Sequence, residues 1–173
     1  MSAERIKRFM NNIADEFPDD NSSKDVYLQA ADLTYNGLGS RHVLIWWTNG
    51  THDEGEPITQ ILQLTGQPGN YGFYHPLVRK QGHTTVSSNQ QFLLGTFTRA
   101  QRDEIIELAN GVAFSKTSTV NGCRVWTRDL LEAMVRAGLI AANTFKTVDE
   151  GVPLKQRVAE AQSAIARKRE SIS

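Results

Sequence analysis

Cysteine occurs once in 173 residues, at position 123. A single thiol excludes an intramolecular disulfide and a cysteine-rich zinc site. Neither sign of charge is in excess: Lys+Arg and Asp+Glu each total 19, for a formal net charge of zero. The basic footprint of a nucleic-acid binder is therefore missing, and bulk electrostatics do not select the substrate or partner. No apolar run approaches a membrane span. The opening stretch MSAERIKRFMNNIADEF lacks the continuous apolar core of a secretory signal. These absences lead to the expectation of a soluble cytoplasmic protein in a reducing compartment.

Several motifs are missing as well. There is no GxxxxGKS loop, no GxGxxG and no GxSxG elbow. Gly37-Leu38-Gly39-Ser40 precedes an expected strand rather than a helix, which makes it a poor phosphate cradle. His75 and His83 lack the carboxylate spacing of a persuasive metal site. No metal and no organic cofactor are expected. Internal repeats and low-complexity blocks are also lacking.

The residues that are present describe an ordinary globular chain. Hydrophobic residues make up 39% and charged residues 22%, enough to bury one core within one domain. Residues 2–17 place Ile6, Phe9, Met10, Ile13 and Phe17 at helical spacing. Residues 25–33 read as a strand. His42-Val43-Leu44-Ile45-Trp46-Trp47-Thr48 is the strongest strand, β-branched and aromatic, and its near-continuous apolar content predicts burial on both faces. Asn49-Gly50 reads as the start of a turn that the polar stretch to Glu56 extends, followed by a second strand over residues 58–64. Residues 66–72 form another turn, and residues 72–79 and 86–97 offer two or three more strands.

Thr98-Arg99-Ala100-Gln101 has the form of a capping box, with Ile105, Ile106 and Ala109 on one face of the helix that follows. Next, NGCRVWTRDLLEAMVRAGLI sets Val125, Trp126, Leu130, Leu131, Met134, Val135 and Leu139 at three- and four-residue spacings. Pro153 suits the first turn of a last helix reaching about residue 170, with a thin apolar stripe. Strands in one run and helices in others predict an α+β fold with an antiparallel sheet packed against helices. Residues 1–152 form the single domain in this reading, and residues 153–173 a C-terminal helix or tail.

Cys123 falls at the start of its helix, with Asn121 or Gly122 as the cap. Unpaired amides and the helix dipole lower a thiol's pKa there, and a nearby imidazole lowers it further. Of the four histidines, His42 opens the strongest strand, where a rigid element would hold it at the rim of the core as a general base. Gln60 or Gln63 on the neighbouring strand would orient the imidazole, and Gln63 is preferred by its position along the strand. Trp126, Trp47 and Asn121 are the candidate substrate contacts. For the tryptophans the plainer alternative is a place in the core, and for Asn121 a turn.

A strand opening with histidine (RHVLIWWT), more strands, and then a helix opening with cysteine (NGCRVWTRDLLEAM) resemble a circularly permuted papain-like cysteine enzyme. NlpC-type peptidases and lecithin:retinol acyltransferase-like proteins belong to that group, and GCRVW is similar to a segment of an uncharacterised family of small fungal proteins. The resemblance spans residues 41–139 and carries over His42 and Cys123. It implies a permuted papain-like fold, Cys123 as nucleophile, His42 as base and a thioester intermediate. The substrate would be a small molecule or peptide, and water, an amine or an alcohol would accept the acyl group. The alternative is a catalytically silent protein of the same fold, a binding or assembly module whose C-terminal helix packs on a partner or in a homo-oligomer.

Overall fold

The computed structural model describes residues 10–160 together with Ser2, Glu4 and Arg5. In chain order the described elements are β1 (Lys24–Ala30), β2 (Val43–Thr51), β3 (Pro57–Leu62), β4 (Thr65–Gln67), β5 (Asn70–Gly72), β6 (Val78–Lys80), α1 (Thr85–Ser88), β7 (Gln90–Phe97), α2 (Arg99–Gly111), α3 (Cys123–Arg136) and α4 (Ala142–Gly151). Five strands form one sheet in the order β6-β3-β2-β1-β7, and every neighbouring pair is antiparallel. β4 and β5 make a separate small hairpin. The fold is α+β, as the segregation of strand and helix patterns predicts. No helix among the described residues is long and apolar enough to cross a membrane.

β2 lies at the centre of the sheet, and its side chains alternate between two cores. Val43, Ile45 and Trp47 join the larger core, which Ile105 and Ala109 of α2 and Trp126, Leu130, Leu131 and Met134 of α3 complete. Leu44 and Trp46 belong to a smaller cluster on the other face, with Met10, Ile61 and Leu77. Burial on both faces explains the near-continuous apolar run.

The ends of the helices follow their sequence signals. The Thr98 hydroxyl accepts from the Gln101 amide at 3.2 Å, and the Gln101 side chain accepts from the Thr98 amide at 2.9 Å. This capping box starts α2. After α3, Gly138 takes φ +73°. The Leu139 amide then reaches the Met134 carbonyl at 2.9 Å, and the Gly138 amide reaches Val135 at 3.0 Å. These two bonds close the helix in a Schellman arrangement, which favours glycine at the left-handed position.

Several segments depart from the sequence expectations. Residues 66–72, expected as a turn, belong to the β4–β5 hairpin, residues 86–88 of an expected strand lie in α1, and four further departures are larger. The expected helix over residues 2–17 is absent from residues 10–17, which form turns, while residues 3 and 6–9 lie outside the described residues. Asn12 instead bonds the Pro76 carbonyl (2.7 Å) and the Val78 amide (2.9 Å), and the Ile13 amide bonds the Val78 carbonyl at 2.9 Å. These groups are spent on the sheet edge rather than on a helical ladder. Asn49-Gly50 is not a turn: β2 runs through it to Thr51 with an irregular register, and the reversal falls later, where Gly55 takes φ +82°. The Asn49 amide group is accommodated inside by Gln60 Oε1 (2.9 Å) and the Phe17 carbonyl (3.0 Å).

α4 departs from the sequence reading, which places no helix between residue 139 and Pro153; its N-terminus carries no side-chain cap. Tertiary contacts hold it: Val148 is buried, Arg128 of α3 pairs with Asp149 at 3.2 Å, and the same guanidinium lies over the Phe145 ring. Residues 153–160 are not helical. They lie along the domain with Leu154 buried, and Asn121 bonds the amide (3.0 Å) and carbonyl (2.8 Å) of Val158. The remainder of the expected C-terminal helix, from residue 161 onward, lies outside the described residues.

Candidate active site

The start of α3 is brought against the start of β2. Trp126 and Leu130 of α3 fill the same core as Val43 and Ile45 of β2, so the two termini meet at one end of the sheet. Cys123 is the first residue of α3, after Gly122 as N-cap. The first helical amides to find partners are those of Val125 and Trp126, both on the Gly122 carbonyl (3.1 and 3.0 Å). The Cys123 and Arg124 amides stand at the positive end of the helix.

The sulfur lies over the backbone that carries His42. Its thiol hydrogen points to the Arg41 carbonyl at 3.5 Å, and the Val43 amide donates to it. The His42 ring, at the rim just before β2, lies beside Cys123, close enough for each to shift the other's ionisation. Its Nε2 donates to Gln63 Oε1 at 2.8 Å, since an amide oxygen only accepts, and this leaves Nδ1 for the sulfur. Gln63 is itself held by Thr65 Oγ1 at 3.3 Å. The result is a chain His42–Gln63–Thr65 that holds the imidazole in place beside the Cys123 sulfur.

The electrostatics of the pair are reciprocal. His42 is raised above the ordinary imidazole range, first by its bond to Cys123, against the opposing effect of burial. For Cys123 the largest single influence is burial, which pushes the thiol up. The bond and charge of His42, the Val43 amide and the Arg124 charge together outweigh it and hold the thiol below its ordinary range. Both shifts favour thiolate and imidazolium.

The pair opens on a cleft of about 370 Å³, whose lining includes Ser40, Gln67, Tyr71, Arg124 and Lys155. Tyr71 is buried, and its hydroxyl is raised, first by burial and then by the charge of Cys123. A larger cavity of about 640 Å³ lies around Trp46, Thr59 and Arg79 and contains no thiol.

Of the residues expected at the site, Cys123, His42 and Gln63 come together. Gln60 does not: it faces His75 at 3.2 Å and Asn49, with no nucleophile in that group. Both glutamines are buried, not exposed strand positions. Three expected substrate contacts are corrected. Trp47 and Trp126 are 0% and 1% exposed and belong to the core, so neither touches the cleft. Asn121 is buried, does not cap α3 and does not line the cleft; it clamps residues 158 and 160. The actual lining residues Tyr71, Arg41, Arg124 and Lys155 were missed. A signal existed for two of them, because an arginine stands directly beside each reactive residue, in Arg41-His42 and Cys123-Arg124.

Gly122 is where packing leaves no room for a side chain. A methyl group there would lie 2.7 Å from the Tyr71 hydroxyl oxygen. Gly122→Ala should therefore push Tyr71 out of the cleft wall and cost about 1–3 kcal/mol, the usual penalty of overpacking. Urea denaturation reads this directly, and an unchanged midpoint would show that the wall yields freely.

No protein-family model, curated protein or solved structure matches the chain.

Proposed function

We propose that this protein is a cysteine-dependent acyl-transfer enzyme, an amidase, peptidase or acyltransferase, built on a permuted papain-like plan. The observation that carries the reading is that Cys123 at the start of α3 and His42, itself hydrogen-bonded to Gln63, line one cleft side by side and shift each other's ionisation. Histidine at a strand start, preceding cysteine at a helix start, is the order that a permuted papain-like enzyme implies.

The chemistry follows from the geometry. The Cys123 thiolate adds to an acyl carbonyl carbon, forming a C–S bond while the carbonyl oxygen takes the electron pair. The Cys123 amide at the helix terminus donates to that oxyanion. Collapse expels the leaving group, which takes a proton from His42 Nδ1, and a thioester remains. Water, an amine or an alcohol then attacks the thioester, with neutral His42 accepting its proton. Gln63 keeps Nε2 protonated and the ring in place; as a neutral amide it orients the ring without adding charge.

Activity-based labelling tests the reading. A thiol-directed acyl probe should add one acyl mass to the native protein within minutes at pH 6, and none to Cys123→Ser. Native labelling no faster than that of a small free thiol would rule out an activated nucleophile.

A further inference from the structure

The cleft is cationic in a chain whose net charge is zero. Its lining holds Arg41, Arg124 and Lys155 beside His42, and among the described residues no aspartate or glutamate lines it. Arg41 and Arg124 are only 5% and 7% exposed. Their hydrogen bonds go to neutral groups. Arg41 donates to the carbonyls of Ala31 (2.6 Å), Asp32 (3.0 Å) and Val152, and to the Gln90 side chain (3.1 Å). Arg124 donates to the Tyr35 hydroxyl (3.2 Å) and the carbonyls of Gly39 (3.0 Å) and Pro153 (3.3 Å). Both guanidinium groups also lie over the Tyr35 ring, at 4.8 and 5.9 Å.

Nearby carboxylates are engaged elsewhere. The Asp32 carboxylate accepts from the amide and hydroxyl of Thr34 and acts on Arg41 only through its charge, without a hydrogen bond; Glu160 accepts from Ser118 and Asn121. Among the described residues Arg124 has no carboxylate hydrogen-bonded to it and Arg41 is offset only by the charge of Asp32, so the buried pair projects a net positive field into the open space beside it, where low-dielectric walls focus it. Lys155 is exposed at the rim and has the freedom to meet a ligand directly.

We infer that the acyl donor carries a carboxylate or similar anionic group close to its scissile carbonyl, drawn in by Arg41 and Arg124 and met at the rim by Lys155. This rests on the cysteine-enzyme reading above and adds the substrate class to it. Bulk charge is silent here because the selecting charges are local.

Two alkylating agents of nearly equal shape, iodoacetate and iodoacetamide, test the inference. In each case the Cys123 thiolate displaces iodide, which leaves with the electron pair as the S–CH₂ bond forms; only the charge of the probe differs. The rate ratio of iodoacetate to iodoacetamide, divided by that of 2-mercaptoethanol, should be about tenfold or more at low ionic strength. It should fall as added salt shortens the screening length to about 8 Å at 0.15 M.

The His42 imidazolium alone favours an anionic probe, so the variants decide. Lys155→Glu should cut the ratio several-fold. Lys146→Glu, the same charge change at an exposed position on α4, should leave it unaltered. A ratio equal to that of the free thiol, or one that responds equally to both substitutions or to neither, overturns the inference. The absolute iodoacetamide rate separates the two proposals. Fast iodoacetamide with an ordinary ratio removes only the anionic substrate. Slow iodoacetamide with a high, Lys155-dependent ratio removes the nucleophile and leaves an anion-binding cleft.

Discussion

Replacing His42 by alanine should slow acyl transfer by about 10²–10⁴-fold, the usual contribution of a positioned acid–base group. It should also move the pH profile of Cys123 alkylation upward. In the native protein burial opposes ionisation of the thiol, and the bond to His42 is the first influence that reverses it. Without the imidazole, the Val43 amide and the Arg124 charge remain, but burial stays at full strength. The alkylation midpoint then returns to the ordinary thiol range or above it.

The native activity profile should be a bell. Its acid limb marks loss of the Cys123 proton, at a pH below that of a free thiol. Its alkaline limb marks loss of the His42 proton, at a pH above that of a free imidazole. The two midpoints belong to the coupled pair rather than to either residue alone. Rates measured from pH 4 to 10 on the native protein and on His42→Ala check both statements. An unchanged alkylation midpoint in the variant would mean that His42 does not act on the thiol.

The largest expected loss of stability lies far from the cleft. Arg102, on α2, is fully buried. All five of its N–H groups are used. Nε and Nη2 grip the two oxygens of Asp19 at 3.0 Å each, and the carbonyls of Ser22 (2.9 Å), Phe97 (2.7 Å) and Asp20 (2.9 Å) take the rest. The cluster ties the chain entering β1 to the end of β7 and to α2. Arg102→Met fills part of the volume but leaves the Asp19 side chain, 5% exposed, with Lys24 as its main cationic partner. Breaking a buried pair by removing one member costs about 3–5 kcal/mol. For a domain of this size that is roughly 10 °C in Tm.

The pH dependence has a definite sign. Burial pushes the Asp19 carboxyl up, but bonds from Arg102 and Lys24 outweigh it and hold the folded value below the ordinary one. This contribution is therefore present above the unfolded carboxyl range and is lost as pH falls through the lower folded value. Thermal melts at pH 7 should separate native protein from Arg102→Met widely, and the gap should narrow below pH 4. A difference within about 0.5 kcal/mol at pH 7, the range of ordinary surface substitutions, would show that the cluster contributes little.

Arg102 illustrates a limit of the linear pattern. It shares a buried helical face with Ile105 and Ala109, yet a charged residue there reads as surface until its partners, some eighty residues earlier in the chain, are seen. Trp47 and Trp126 illustrate the reverse. Their proximity in sequence to His42 and Cys123 suggested contact with substrate, but strand alternation and helical period turn both into the core. Asn121 stands two residues before Cys123 in the chain and faces a segment that arrives more than thirty residues later. α4 and the extended run at 153–160 depended on contacts of the same kind.

Local chemistry in the sequence determined the two reactive elements. Strand propensity over VLIWWT placed His42 at a strand start, the spacing of apolar residues after Cys123 placed the thiol at a helix start, and the capping box set the beginning of α2. The order of strand and helix patterns determined the α+β class. Only the tertiary structure decided that the two starts meet and that Gln63, not Gln60, reaches the imidazole. Only there do Arg41, Arg124 and Lys155, scattered over more than a hundred positions, line one cleft without a carboxylate. Pattern and propensity act within a few residues, whereas the pairing of a thiol with an imidazole and the sign of a cleft depend on which distant surfaces the core brings together. Cys123 owes its place at a helix terminus to its neighbours in sequence, and its lowered thiol pKa to the His42–Val43 segment that the core brings beneath it.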